Sequence, residues 1–170
     1  MISSRDDEWV EIYNAGDAPV TLDGYRIADA DTSWRMELSG TLAPHARRLV
    51  YGLESYNWEK ATHHSAFGLS LNNTGDSVRL WRWSPTDSSQ VDVYTYNALS
   101  AGADRSVGRF PDGAPTWKLF DELNAVPAGS DPPGTHCSPS PGTANGCVTA
   151  IDVKTWGSMR LRFGARGARK

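Results

Sequence analysis

The residues with the most reactive side chains are the run His63-His64-Ser65 and the separate His136. Nucleophilic catalysis needs a nucleophile, a base and an orienting acid in a fixed geometry. Successive side chains of an extended segment point to opposite sides, so the two adjacent imidazoles are not expected to converge on one substrate or metal. No Gly-x-Ser-x-Gly pattern accompanies them. We therefore interpret them as loop residues and expect no catalytic residue and no enzyme activity.

Acidic side chains near the start of the chain have the chemistry of Ca²⁺ ligands, which are oxygen atoms. They are Asp6, Asp7, Glu11, Asp29 and Asp31. Their spacing is not that of an EF-hand loop, and short acidic loops are mostly solvated turns. We expect no metal and no cofactor, and a calcium site stays open as the alternative.

The two cysteines, Cys137 and Cys147, bracket a stretch rich in Pro and Gly. This spacing predicts a local disulfide that fastens a loop with little secondary structure. Free thiols and a metal site are the alternatives, although no CxxC or HxxxH spacing is present. A disulfide implies an oxidising compartment, and we expect an extracellular or cell-surface protein although no secretory signal is visible in the chain.

The elements that position these residues are predicted to be β-strands. A chain of 170 residues fits one domain and can bury a core. Helical periodicity is weak throughout, and turns rich in Gly, Pro, Asn and Asp separate short alternating runs. These runs predict strands at residues 8–13, 25–28, 47–51, 77–83, 91–96, 106–110 and 116–119. The pattern indicates an all-β sandwich.

Aromatic residues give the strongest surface signal. In residues 77–83, Arg79, Trp81 and Trp83 share one face of the predicted strand. If the next strand forms a hairpin with this one and its valines point inward, Tyr94 and Tyr96 join them outside. Contiguous exposed aromatic residues usually mark contact surfaces. Cover by a loop or by the C-terminal extension, and stacking on a sugar, are the alternatives.

Five segments together resemble the lamin tail domain, in the form found in bacterial and archaeal surface proteins. They are residues 8–29 (EWVEIYNAGDAPVTLDGYRIAD), 41–51 (TLAPHARRLVY), 68–80 (GLSLNNTGDSVRL), 106–113 (SVGRFPDG) and 140–145 (SPGTAN). The resemblance implies an immunoglobulin-like β-sandwich over residues 1–147. It also implies a module that is generally not enzymatic and is often attached to secreted or membrane-anchored proteins.

The chain departs from this family at both ends. A first strand that usually precedes the segment EWVEI is missing or much shortened, and residues 148–170 continue past the last motif as a C-terminal strand or hairpin extension. Alternation in the extension predicts a pairing strand, and its apolar positions are Ile151, Val153, Leu161 and Phe163. An exposed sheet edge invites pairing. We expect this strand to fill the open edge, within the chain or in a neighbouring copy.

The chain ends in a basic tail formed by Arg160, Arg162, Arg166, Arg169 and Lys170. Removing these five charges from the net charge of −3 leaves −8 on residues 1–158. An acidic body repels a phosphate backbone, so nucleic acid is an unlikely partner except through the tail. The apolar runs are too short to span a membrane, and we expect no membrane insertion.

The sequence therefore predicts a non-catalytic structural or adhesion module. It is expected to mediate protein–protein contacts in a cell-surface or filamentous assembly, with protein partners that include copies of itself, and to do so by burial of apolar area and β-strand addition. Two alternatives stay open. One is a carbohydrate-binding accessory module of a secreted hydrolase, and the other is nucleic-acid binding through the basic tail.

Overall fold

A computed structural model describes residues 8–147 of the chain as a β-sandwich with one short helix. This confirms the predicted all-β, immunoglobulin-like class. The strands are β1 (Trp9–Tyr13), β2 (Val20–Thr21), β3 (Tyr25–Ala28), β4 (Trp34–Glu37), β5 (Thr41–Leu42), β6 (Arg47–Tyr51), β7 (Gly75–Trp83), β8 (Ser88–Asn97), β9 (Ser106–Arg109) and β10 (Trp117–Phe120). The helix is α1 (Gly52–Ala61). The predicted C-terminal strand or hairpin extension lies outside the described residues.

Four strands form the larger layer of the sandwich. They lie in the order β4-β3-β7-β8, and each pair is antiparallel. β7 and β8 form the predicted hairpin, with Ser77 opposite Thr95 and Val78 opposite Tyr94. The register shifts between Leu80 and Trp81, where a bulge changes the pairing.

The opposite layer consists of pairs of strands rather than one continuous sheet. β1 pairs with β6, β9 pairs with β10, and the two-residue strands β2 and β5 form a small ribbon. In the described part of the chain no backbone pairing joins β1 to β9. Within residues 8–147 this layer is therefore open between these two strands.

The hydrophobic core lies between the layers on the side of β3, β4 and β6. Its buried members are Leu22, Ile27, Met36, Leu38, Leu42, Val50 and Leu69. Alternation places Ile27, Met36 and Val50 on the inner faces of their strands, whereas Leu22, Leu38 and Leu69 lie in the connections between strands. Val10, Ile12, Val78 and Leu80 pack against this core but are only partly buried.

The weak helical periodicity of the sequence did not predict the helix α1. α1 packs against β4 and β6, and its buried residues are Gly52, Ser55 and Glu59. Because the buried face of this helix is polar, it leaves no apolar period of 3.6 residues in the sequence. The strands β2, β4 and β5, of two to four residues, were also not predicted. No helix of the described residues is long and apolar enough to cross a membrane.

The predicted disulfide joins Cys137 and Cys147, whose Cα atoms lie 4.9 Å apart. Cys137 is buried, and its backbone carbonyl accepts a hydrogen bond from the Glu122 amide. The disulfide closes the loop of residues 137–147, and the hydrogen bond to Cys137 fastens this loop to the segment that follows β10.

Replacing both cysteines by serine should lower the free energy of unfolding by about 3 kcal/mol, the chain-entropy value for closing a loop of this length. Denaturant unfolding of the wild type and of the double variant measures the difference. Reductant should destabilise the wild type by a similar amount and leave the double variant unchanged. Equal stability of the two proteins under oxidising conditions would contradict the prediction.

Candidate interaction surfaces

His63, His64 and His136 lie in loops, as predicted. The His64 ring stacks on Trp58 with centroids 4.9 Å apart, and its Nδ1 lies 2.9 Å from the Thr62 Oγ1. His63 has a left-handed backbone (φ 61°), as turn residues often do. The ring of His136 is exposed and lies 3.8 Å from the buried Asp121 carboxylate. These contacts fix loops and the end of α1.

The acidic residues proposed as an alternative calcium site do not come together. Asp29 and Asp31 both contact Arg35, whereas Glu11 lies elsewhere, accepting from the Gly142 amide at 2.6 Å. Asp6 and Asp7 lie outside the described residues. Within residues 8–147 no group of three His, Cys, Asp or Glu side chains is arranged to hold a metal ion.

Arg35 instead forms a buried ionic cluster with Asp29 and Glu59. Its Nε donates to the Asp29 Oδ2 at 2.8 Å, and its Nη1 donates to the Glu59 Oε1 at 3.1 Å. Burial raises the pKa of Asp29 to about 6, and the neighbouring Asp31 adds to this effect, while Arg35 opposes it. Asp31 is exposed, and hydrogen bonds to Asp29 and Ser33 lower its pKa to about 2. The cluster fastens α1 to the edge of the larger sheet.

The larger sheet carries tryptophans on its outer face, which we call the outer aromatic face and define by Trp34, Trp81, Trp83 and Arg26. The register places Trp81 opposite Arg26. The Arg26 guanidinium lies 3.6 Å from the centroid of the Trp83 ring and 5.4 Å from that of Trp34. Trp34 and Trp81 meet edge to face at 6.3 Å. Each of these tryptophans is partly buried, so the face presents aromatic surface held by one cation.

Sequence reasoning found only part of this face. Trp81 and Trp83 were predicted to lie on it with Arg79, and the register places Arg79 opposite Ala28 on the same side of the sheet. Trp34 and Arg26 were missed. The signal for Arg26 was present, because it alternates with the buried Ile27 in a predicted strand.

Tyr94 and Tyr96 were placed outside on the condition that the valines of β8 point inward, and this condition is not met. Val91 and Val93 are 51% and 39% exposed, and Tyr94 lies opposite Val78 on the inner side. The Tyr94 ring contacts Trp117 of β10 at 4.2 Å between centroids. Tyr94 and Tyr96 therefore do not join Trp81 and Trp83 on one surface. They lie beneath the opposite layer, and burial raises the pKa of both phenols.

The opening between β1 and β9 forms a groove of about 680 Å³, which we call the β1–β9 groove. The two strands form its walls, and the inner face of β7 and β8 forms its floor, with Val78, Leu80, Tyr94 and Tyr96. At one end Arg109 donates to both oxygens of Asp92, at 2.8 and 2.9 Å. The groove is therefore apolar at its floor and charged at its rim.

Both walls of the groove present backbone groups. The Glu8 carbonyl accepts a hydrogen bond from the Gly52 amide, and the Asn14 amide donates to the Ala46 carbonyl. The backbone amides and carbonyls of the even-numbered residues of β1 therefore point to β6. The amides and carbonyls of Trp9, Glu11 and Tyr13 consequently point to the groove. In β9 the Phe110 amide donates to the Thr116 carbonyl on the β10 side. The backbone amides and carbonyls of Val107 and Arg109 therefore point away from β10 and into the groove.

The other predicted site residues lie outside the described residues. They are the pairing positions Ile151, Val153, Leu161 and Phe163 and the basic tail residues Arg160, Arg162, Arg166, Arg169 and Lys170. Their roles stay predictions, as does the division of the chain at residue 147.

The family model for the lamin tail domain matches residues 2–98, which is more than half of the chain. No curated protein and no solved structure gives a significant match. Domains of this family are immunoglobulin-like and non-enzymatic, and they generally mediate protein interactions. The matched region contains β1 to β8 and α1 and hence both faces of the larger sheet. The match and the sandwich show that the chain belongs to the lamin tail domain family.

Proposed function

We propose that the protein is a non-catalytic structural or adhesion module, of the bacterial and archaeal surface-protein type, in a cell-surface or filamentous assembly. It contacts protein partners, including copies of itself, through the outer aromatic face. The observation that carries this proposal is the group of three tryptophans around Arg26 on the outer side of the larger sheet. The Cys137–Cys147 disulfide supports a location outside the cytoplasm, where such bonds persist.

The composition of this face is that of a binding hot spot. Residues whose truncation costs the most binding energy are enriched in Trp, Tyr and Arg. Arg26 is held by Glu37, with its Nη2 at 2.7 Å and its Nε at 3.1 Å from the Glu37 Oε2, so it keeps its place over the Trp83 ring. A prearranged surface loses little side-chain entropy when a partner binds.

A sugar is a poorer fit to the same face. Stacking on a carbohydrate needs an open aromatic ring, and the guanidinium of Arg26 covers one side of the Trp83 ring. Trp34 and Trp81 stand at 83° to one another, so the two rings do not form a flat platform. These contacts favour a protein partner over the carbohydrate-binding alternative.

Nucleic-acid binding is disfavoured by the net charge of −8 on residues 1–158. Binding through the basic tail would have a strong salt dependence and would be lost when the tail arginines are neutralised. A salt titration with the full chain and with a variant that carries Gln at Arg160, Arg162, Arg166 and Arg169 separates this alternative from protein binding.

Replacing Trp83 by alanine should weaken binding to a surface partner by about 30-fold, the effect of losing one hot-spot residue worth about 2 kcal/mol. The intact chain is immobilised and offered soluble copies of itself and the purified surface-protein fraction of its source cells. Retention is then measured against concentration.

Leu123→Ala is the matched control, because Leu123 is 69% exposed but lies after β10, away from the outer aromatic face. It should leave binding unchanged. The proposal is wrong if Trp83→Ala and Leu123→Ala bind alike, or if glycans quench the tryptophan fluorescence while no protein is retained.

A further inference from the structure

We propose that the β1–β9 groove is an acceptor site for one β-strand, and that its occupant is the segment of residues 148–163 of the same chain. The inserted strand would join β1 and β9 into one continuous layer, β6-β1-strand-β9-β10. This inference does not rest on the proposed function. The groove has its floor on the inner side of β7 and β8, whereas the outer aromatic face lies on the outer side of the same sheet.

The backbone of the groove is prepared for a strand. Trp9, Glu11 and Tyr13 on one wall and Val107 and Arg109 on the other direct amide and carbonyl groups into it, as the pairing of β1 with β6 and of β9 with β10 requires. At the far end the Asn145 side chain already bonds one of these groups, with its Nδ2 donating to the Arg109 carbonyl at 2.9 Å. An edge strand with free backbone groups is a template for pairing.

Among residues 8–147 the core is only partly covered beneath the groove. Ile27, Leu38 and Val50, on the far side of the sandwich, are at most 2% exposed. Val78 and Leu80 belong to the same core, yet they stay partly exposed where they form the groove floor. Alternate side chains of an inserted strand would point onto this floor and remove apolar area from water, at about 25 cal/mol per Å².

The occupant is defined by where the described chain ends. Asn145 lines the groove, and the disulfide fixes Cys147 to the domain, so residue 148 starts beside the site. Sixteen extended residues reach about 50 Å, and a wall of five residues is only about 17 Å long. A tethered segment meets its site at an effective concentration in the millimolar range, which favours the same chain over a second copy.

The composition of the segment matches the groove. Its apolar positions alternate with polar or basic ones, so one face can meet the floor while Arg160 and Arg162 face the rim. The rim contains Glu8 and Glu11, and burial raises the pKa of both carboxyls. Glu8 accepts backbone hydrogen bonds and has no cationic partner among the described residues. Arginines of the segment would supply the missing positive charge.

Hydrogen exchange of the full chain tests the proposal at the groove walls. The amides of Trp9, Glu11, Tyr13, Val107 and Arg109 should be protected at least tenfold over the rates expected for an unpaired edge, because a bonded amide exchanges only when the strand opens. A variant that combines Ile151→Asp, Val153→Asp, Leu161→Asp and Phe163→Asp should lose this protection. The matched control variant, Arg166→Gln with Arg169→Gln, changes residues beyond the segment and should keep the amide protection.

A second measurement uses the unmodified protein and does not depend on a variant that folds. Zero-length carbodiimide coupling should join Lys154 to a carboxylate of the groove, Glu8, Glu11, Asp92 or Asp112, within monomeric chains. Three results would overturn the proposal. They are unprotected wall amides in the wild type, protection that survives the four substitutions, and links from Lys154 that form only between chains, as strand exchange with a second copy would give.

Discussion

Arg35→Ala should lower the free energy of unfolding by about 3–5 kcal/mol, because removing one partner of a buried ion pair leaves the other partner's charge buried and unpaired. The side chains of Arg35, Asp29 and Glu59 are 5%, 6% and 0% exposed, so truncation leaves two carboxylates in a dry site without their cation. Glu59 also accepts the amides of Phe67 and Gly68, at 2.6 and 2.7 Å. The loss therefore spreads from β4 through α1 to the loop that follows it.

The pH dependence of this loss identifies its cause. The pKa of Asp29 is already raised to about 6 by burial, and Arg35 lowers it, so removing the guanidinium raises it further. A raised pKa in the folded state means that the folded variant holds a proton that the unfolded chain loses near pH 4. Protonation neutralises the unpaired carboxylate, and the destabilisation should be smaller at about pH 5 than at about pH 8.

Denaturant unfolding at both pH values measures the effect, with Arg48→Ala as the control. Arg48 pairs with Glu54, but both side chains are about one third exposed, and such pairs contribute less than about 1 kcal/mol. The loss in free energy of unfolding for Arg35→Lys should lie between those for Arg35→Ala and Arg48→Ala, because an ammonium group does not bond two carboxylates as the planar guanidinium does. A loss that is equal for Arg35→Ala and Arg48→Ala would show that the buried cluster does not stabilise the fold.

The sequence predicted the strands with clear alternation and failed where burial is polar. α1 buries Ser55 and Glu59, and the Ser55 hydroxyl bonds the Arg35 carbonyl at 2.5 Å. This helix is held by ionic and hydrogen-bonded contacts with a distant strand, and local periodicity does not report such contacts. The spacing of Ser55 and Glu59, four residues apart, was the one local sign of a shared helical face.

The two faces of β8 could not be assigned from the sequence for a related reason. Val91 and Val93 alternate with Tyr94 and Tyr96, so both faces carry large apolar side chains and alternation alone does not decide which is buried. Trp117 of β10 decides it by packing on Tyr94, a contact between residues 23 positions apart in the chain.

Asp121→Ala should lower the free energy of unfolding by about 3 kcal/mol, because it leaves one buried and one partly buried amide without an acceptor. The carboxylate is fully buried and accepts from the Val126 and His136 amides, each at 2.8 Å. It thereby holds the Pro-rich segment against the end of β10. Asp121→Asn should cost about half as much, since its amide oxygen satisfies one donor while its NH₂ group faces the other.

The same carboxylate should make the protein sensitive to acid. Burial acts to raise the pKa of Asp121, but the two backbone donors and His136 outweigh it and hold the pKa below its usual value. A depressed pKa contributes stability that is present above about pH 4 and is lost as the pH falls through the folded value. The stabilities of the wild type and Asp121→Ala should therefore converge in acid.

Glu122→Ala is the matched control for this prediction, because Glu122 is the adjacent acid but is exposed, and its carboxylate accepts a hydrogen bond from the Ser138 hydroxyl. Glu122→Ala should change the free energy of unfolding by less than about 0.5 kcal/mol and should not alter how this free energy falls in acid. A constant difference between the wild type and Asp121→Ala across the acid range would mean that packing, rather than the charge on this carboxylate, holds the segment. Convergence in acid with an unchanged Glu122→Ala profile would assign the acid sensitivity to one buried anion.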